Sequence, residues 1–439
     1  MKESVAFETM HKTILAFVLF TLLTLGLLAG CAGSGSGGSM QPGTSADLSS
    51  NVQDTAAGTP NGQNQALPEN GATSAESAPE VAAGDIDATV ANKLAQMTVE
   101  EKVAQLFVAR AESFCSDGST LTYVDDDVRS NVAKYPVGGI CFLSDNLVDS
   151  QQTKQLMSEL QAASQANGGV GMLLCVDEEG GTVARIGSNP AFGVKDAGDM
   201  RVIGEAGDTA AAKQAALSMG GYVRDLGFNV DFAPVADVDT DQATTMDERS
   251  FGTDPDLVAS MVVAQVEGFN EAGILCSAKH FPGIGSAGGD SHEEGITLDK
   301  GREQLMQEDL VPFKAAIDAG VPMIMVGHIS CPQITGDDLP ATFSTAVMTG
   351  LLRPERGFEG VVITDSLGMG AATQVYGETE ASLKAFRAGA DMLLLPYDLD
   401  AAYNSILNEV KQGGITEDRL NESVSRILKM KLAHGIAIA

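Results

Sequence analysis

The sequence has no tryptophan, and aromatic residues make up only 5% of its 439 positions. A core without large rings must be filled by aliphatic side chains, and a hydrophobic share of 44% can supply them. Basic residues are scarce: Lys and Arg number 27 against 59 Asp and Glu, for a net charge of −32. A surface that acidic repels phosphate backbones and anionic headgroups, which argues against nucleic-acid binding and against charge-driven docking on a membrane. The six Cys show no paired short spacings, which excludes a disulfide scaffold or a zinc ribbon as the organising principle. Histidine numbers five. His11 and His434 fall towards the two ends, leaving His280, His292 and His328 for any chemistry in between.

One apolar run stands out. It extends from Ile14 to Leu28, follows Lys2 and Lys12, and ends in Leu28-Ala29-Gly30-Cys31. It is shorter than the ~20 residues a bilayer span requires and suits the hydrophobic region of a signal peptide. Small residues directly before a Cys resemble the lipobox of bacterial lipoproteins. That resemblance implies cleavage before Cys31, lipidation of Cys31, and an extracytoplasmic protein anchored to the cell membrane by its lipid alone. An ordinary signal peptide with an incidental Cys is the plainer alternative. Residues 32–85 are mostly Gly, Ser, Ala, Asn, Gln, Thr and Pro, without an aromatic residue, Lys or Arg. Such a segment cannot bury enough apolar surface to offset its ordering entropy, so a disordered tether reaching about 40 Å is expected. The expected organisation is a signal peptide over 1–30, a lipidated Cys and linker over 31–85, and a folded domain over 86–439.

From Ile86 onward, short β-rich apolar runs alternate with longer amphipathic stretches. The runs cover 105–109, 137–142, 172–176, 230–234, 274–280, 323–328, 361–364 and 392–395; helical patterns cover 150–166, 209–226, 256–272, 300–319, 378–388 and 417–434. Strands alternating with helices predict a parallel sheet covered by helices. Eight such runs in this length predict an α/β fold, a single (β/α)8 TIM barrel. No second folded domain is expected after it, and the protein is expected to be a monomer.

Polar residues stand at the ends of these runs, where a barrel builds its catalytic face. Val176 is followed by Asp177-Glu-Glu-Gly-Gly181, Ala278 by Lys279-His280, Gly327 by His328, and Thr364 by Asp365. Asp177 could serve a site or merely cap a tight turn. Arg185 could clamp a ligand or pair with Glu178. Asp365 could react or cap the following helix. The stretch Gly283-Ile-Gly-Ser-Ala-Gly288 matches G-x-G-x-x-G, but it runs into Asp290-Ser-His-Glu-Glu-Gly295 rather than opening a helix, so a dinucleotide site is rejected. Its glycines make a flexible loop carrying Asp290 and His292. The Asp-x-His spacing lets the carboxylate hold one imidazole nitrogen and raise the basicity of the other; a polar loop tip is the bland alternative. His280, His292, His328 and Asp290 could also ligate a metal, although the first run lacks the His-x-His of metal-dependent barrel hydrolases. Cys141, Cys175 and Cys276 fall inside predicted strands and read as buried thiols, whereas Cys115 and Cys331 fall in loops and could pair.

Taken together, these segments resemble the β-N-acetylhexosaminidases of glycoside hydrolase family 3. The matching stretches are Val176-Asp-Glu-Glu-Gly-Gly181 with Arg185, Asp231-Phe-Ala-Pro-Val235, Glu248-Arg-Ser-Phe-Gly252, Lys279-His-Phe-Pro-Gly283, Asp290-Ser-His292 and Ile363-Thr-Asp365, in the family's order over about residues 90–435. The resemblance implies that Asp177, Arg185, Arg249, Lys279 and His280 hold the sugar, that Asp365 is the nucleophile, that His292 is the general acid/base, and that Asp290 orients His292. It implies a retaining, exo-acting enzyme that removes terminal β-linked N-acetylglucosamine through a covalent glycosyl-aspartate, with no cofactor and no metal. The substrates would be peptidoglycan fragments, chitooligosaccharides or host glycans. Three stretches depart from the family pattern: Ile284 and Ser286 replace polar residues after Pro282-Gly283, Thr182 stands where Arg is usual, and Asp247-Glu248 precede Arg249 where small or Asn-rich residues are common. A β-glucosidase or glycoside phosphorylase of the same family, and a non-catalytic sugar-binding lipoprotein, are the rival readings.

Overall fold

The computed structural model describes residues 83–166, 169–240, 246–287 and 295–438. The chain divides into Met1–Ala75 and Glu76–Ala439, and every described residue lies in the second unit. The signal peptide, Cys31 and the linker, together with Asp290 and His292, lie outside the described residues.

Eight strands form the centre: β1 Phe107–Arg110, β2 Gly139–Cys141, β3 Leu173–Val176, β4 Val230–Asp231, β5 Leu275–Phe281, β6 Met323–Val326, β7 Val361–Thr364 and β8 Leu393–Leu394. Their order in the sheet is β7-β6-β5-β4-β3-β2-β1-β8, and every pairing is parallel. Closure comes at the β7–β8 seam, where Ile363 bridges to Met392. Across that seam Thr364 donates its N–H to the Met392 carbonyl at 3.1 Å, and its hydroxyl accepts the Leu394 N–H at 3.0 Å. The expected barrel is therefore present, each strand falling on one of the eight apolar runs.

The outer layer comprises α1 Ala83–Gln96, α2 Val99–Ala104, α3 Asp126–Lys134, α4 Ser150–Ala166, α5 Thr209–Asp225, α6 Pro255–Ala272, α7 Leu310–Asp318, a π-helix over Ala346–Glu355, α8 Gly370–Ala388, α9 Leu399–Lys411 and α10 Glu417–Ala433. Local chemistry sets their starts. Asp125, Asp208 and Asp398 accept backbone N–H bonds at the heads of α3, α5 and α9, and Thr98 with Glu101 forms a reciprocal capping box on α2. The α5–α6 contact is close because a Cβ at Gly268 would lie 2.6 Å from the Lys213 carbonyl oxygen. Among the described residues no helix is long and apolar enough to cross a membrane.

The helical pattern over 300–319 breaks into two pieces, Arg302–Gln307 and α7. Pro312 has no N–H to continue the first helix but fits the first turn of the second. Asp309, at the junction, turns its carboxylate inward to Lys300 at 2.6 Å. All five described cysteines are free; Cys141, Cys175 and Cys276 are buried in strands as expected, and Cys115 and Cys331 do not pair.

Candidate active site

The C-terminal ends of the strands surround a cavity of about 340 Å³. Its lining includes Asp177, Arg185, Arg249, Lys279, His280 and Asp365, bringing together all the expected site residues that are described. Each arrives from a different place: Asp177 after β3, Arg185 after a short hairpin of Glu178–Gly180 with Val183–Ala184, Lys279 and His280 on β5, and Asp365 after β7.

At the centre of the charge network is Glu179. Its carboxylate accepts Arg249 Nε at 2.7 Å and Nη2 at 2.8 Å, and lies 2.6 Å from Lys279 Nζ. Lys279 Nζ also reaches Asp177 Oδ1 at 2.8 Å. Burial alone would push the Glu179 carboxyl up, but the two cations hold it far below the usual carboxylate range. Lys279 is correspondingly pushed up: burial opposes its charge, and Asp177 and Glu179 more than restore it. Both cations are thus permanently charged and fixed in direction, suited to donating hydrogen bonds to neutral hydroxyls without moving.

His280 is aligned by Asp237. The Asp237 carboxylate lies 2.8 Å from His280 Nδ1, accepts the His280 backbone N–H at 3.1 Å, and accepts the Ile284 N–H at 2.7 Å. Nδ1 therefore faces a carboxylate, which leaves Nε2 for a ligand. The peptides Lys279-His280, Phe281-Pro282 and Ala233-Pro234 are cis. Glu178 is not the partner of Arg185. Its carboxylate accepts the Ile186 N–H at 2.8 Å, the Gly187 N–H at 2.7 Å and the Tyr222 hydroxyl at 2.7 Å, so it builds the turn that carries Arg185. The Arg185 Nε is buried without a hydrogen-bond partner, the state of a side chain waiting for one.

Asp365 does not cap a helix. The helix α8 starts at Gly370 behind Met369, without a side-chain cap. One carboxylate oxygen of Asp365 accepts the Ser366 N–H at 2.7 Å, and its own N–H donates to the Val326 carbonyl at 2.9 Å. Burial pushes its carboxyl up, but His280, His328, the Ser366 N–H and Lys279 together bring it below the ordinary value. A carboxylate ionised at neutral pH, fixed at its backbone and facing a pocket of donors, is equipped to attack an electrophilic carbon.

Sequence reasoning passed over Glu179, Asp237 and Arg110. Glu179 lay inside a quoted motif, while Asp237 lies two residues beyond the quoted Asp231-Phe-Ala-Pro-Val235. Arg110, at the end of β1, lines the cavity and is exposed; its place directly after the first run was the available signal. Of the departures from the family pattern, Ile284 lines the cavity, Thr182 is exposed, and Ser286 bonds Asp309. As for a metal site, His280 gives Nδ1 to Asp237, and His328 lies within hydrogen-bond distance of protein oxygens at both ring nitrogens. That leaves His328 no lone pair for an ion.

Comparison with known proteins agrees with the barrel fold. Residues 98–430 match the model of the glycosyl hydrolase family 3 N terminal domain. The chain belongs to glycoside hydrolase family 3. Beta-hexosaminidase LpqI of Mycobacterium tuberculosis is 32% identical over 352 residues, covering 77% of this chain and 84% of that protein. Beta-hexosaminidase A of Pseudoalteromonas piscicida is 29% identical over 368 residues; the match covers 76% of this chain and 61% of that longer protein. Among solved structures, a family 3 beta-N-acetylglucosaminidase from Paenibacillus sp. str. FPU-7 superposes with a TM-score of 0.72 at 36% identity, over 77% of this chain and 63% of that one.

Proposed function

We propose that the protein is a retaining, exo-acting β-N-acetylhexosaminidase that removes terminal β-linked N-acetylglucosamine. The observation that carries the reading is the placement of Asp365, ionised, in one cavity with the Asp177–Lys279–Glu179–Arg249 network and the Asp237-aligned His280. Similarity to proteins named as hexosaminidases supports the choice of sugar.

In this reading Lys279, Arg249, Arg185, His280 and Asp177 bind the hydroxyls of the terminal sugar, and Asp365 attacks the anomeric carbon. A proton must reach the leaving oxygen in the first step, and one must be taken from water in the second. We assign both to His292 with Asp290 orienting it. An imidazole near pH 6.5 can do either at neutral pH and adds no second negative charge beside Asp365. We further propose that Cys31 carries the lipid that holds the enzyme outside the cell membrane; Cys31→Ser should abolish incorporation of labelled palmitate, and retained label would refute the anchor.

The deciding experiment is hydrolysis of aryl and alkyl β-N-acetylglucosaminides with and without phosphate. Asp365→Ala should lose nearly all turnover on every substrate. His292→Ala should lose most on poor leaving groups and recover in part with azide, which needs no base. Retention of the β-anomer in the first product is expected. An α-anomer refutes the mechanism, and turnover that depends on phosphate or prefers β-glucosides refutes the assigned activity.

A further inference from the structure

His328 follows β6, next to the strand that leads into Asp365, and is buried. The groups around it constrain its protons. Its Nε2 lies 2.8 Å from the Ser366 carbonyl oxygen, which can only accept, so Nε2 carries hydrogen. Its Nδ1 lies 2.8 Å from the Thr342 hydroxyl oxygen. That hydroxyl has one proton and also lies 2.8 Å from the Gly327 carbonyl oxygen and 3.3 Å from that of Val326. If the proton went to Nδ1, the Gly327 contact would set two lone pairs against each other at hydrogen-bonding distance. If it goes to the carbonyl, Nδ1 must itself donate to the hydroxyl oxygen. A ring protonated on both nitrogens is the state that satisfies all of these hydrogen-bond contacts together.

We infer that His328 is held as an imidazolium by the Thr342 hydroxyl and the Ser366 carbonyl, and that it acts as a positioning residue that steers the Asp365–Ser366 backbone and places a fixed positive charge beside the nucleophile. The ring is walled in for that purpose. Phe343 stacks on it at 6.3 Å and 17°, and Tyr376 packs edge-on against Phe343 at 4.9 Å. The charged groups facing Asp365 from elsewhere are Lys279 and His280 on β5, Asp177, Glu179 and Arg185 after β3, Arg249, and Arg110 on β1. Of the nearer groups, Lys279 divides its charge between Asp177 and Glu179, and the His280 Nδ1 is taken up by the Asp237 carboxylate. The depressed carboxyl of Asp365, for which His328 is one cause, agrees with the inference.

The proposal rests on Asp365 being the nucleophile, and two measurements keep the two ideas separable. Side-chain ¹⁵N NMR of the intact protein should show both His328 nitrogens protonated from pH 5 to 8, with Thr342→Val letting the ring lose a proton within that range. In the pH profile of kcat/KM on an aryl β-N-acetylglucosaminide, His328→Gln should move the acid limb upward by about one unit, so that the variant loses about tenfold more at the acid end than at its plateau. A purely structural role would lower the profile uniformly and leave the limb in place. A neutral ring at pH 7 in the wild type, or an unmoved limb in His328→Gln or Thr342→Val, overturns the inference. A wild type inactive on the substrate would refute the glycosidase reading, and the NMR result would still decide this one.

Discussion

Glu179 holds two cations in a place where water cannot. Its side chain is 2% exposed, as is that of Lys279, and Arg249 is little more open. Breaking such a set by removing one partner leaves uncompensated buried charge, which costs about 3–5 kcal/mol. Glu179→Gln keeps the shape and removes the anion, so a loss of that order is expected in urea unfolding. A fall in kcat/KM should accompany it as Lys279 and Arg249 lose their aim. The pH dependence has a definite sign. The folded carboxyl titrates far below its unfolded value of about 4.3, so its contribution is complete above that value and fades only on acidification. The gap between wild type and variant should be flat from pH 5 to 8 and narrow below pH 4; a gap that widens in acid would contradict the pairing. At this scale the sequence was informative wherever a side chain lining the cavity followed a β-rich run, as Asp177, Lys279, His280 and Asp365 do. It was silent on Asp237, because the role of that carboxylate exists only once two strands bring it to His280.

Among the elements, the strands were legible because each is an apolar run bounded by polar residues, a signal that survives without tertiary information. The two-residue pairings were not: Ile296–Thr297 with Ile329–Ser330 and the Glu178–Ala184 hairpin are too short to carry a period. The segment bearing Arg249 shows what such irregular elements do. The short helix Met200–Ala206 lies under it, with the Arg201 N–H donating to the Glu248 carbonyl at 3.2 Å and Arg201 Nε to that of Asp247 at 2.7 Å. At Gly204 a Cβ would fall 1.7 Å from the Phe251 carbonyl oxygen, a backbone atom that cannot rotate away. Gly204→Ala should push the Asp247–Phe251 stretch outward and drag Arg249 off Glu179. A cost of about 1–3 kcal/mol is expected for the overpacking, together with a lower kcat/KM. Full activity in a Gly204→Ala enzyme would show that the segment is not seated there.

For the whole molecule, the question is how the chain's last helix is fastened beneath a barrel whose first strand begins more than three hundred residues earlier. Part of the answer is Asp391, just before β8, which accepts the Val362 N–H at 3.0 Å and the Ser423 hydroxyl at 2.6 Å and pairs with Arg353 and Arg426. The rest is Lys431 of α10, wholly buried, whose Nζ donates to Gln105 Oε1 at 2.8 Å while Gln105 Nε2 donates to the Pro136 carbonyl at 2.8 Å. No carboxylate pairs with this ammonium among the described residues, and burial pushes it down to about 7. In the unfolded chain the same group titrates near 10.4. Between those two values the unfolded state holds the extra proton, so stability gains from this site as pH rises; below about pH 7 the full penalty applies, on the order of 4 kcal/mol. Lys431→Met fills the same space without a charge and forfeits one hydrogen bond to Gln105, worth about 1 kcal/mol. The variant should therefore be more stable than the wild type by a few kcal/mol at pH 6, and the advantage should shrink steadily towards pH 10. Every other titrating group is common to the two proteins, so the difference between their denaturation midpoints isolates this one. Parallel midpoint curves across pH 6 to 10 would mean that Lys431 keeps its charge underground with a partner, and that the helix is fastened by an ion pair rather than by a neutral amine.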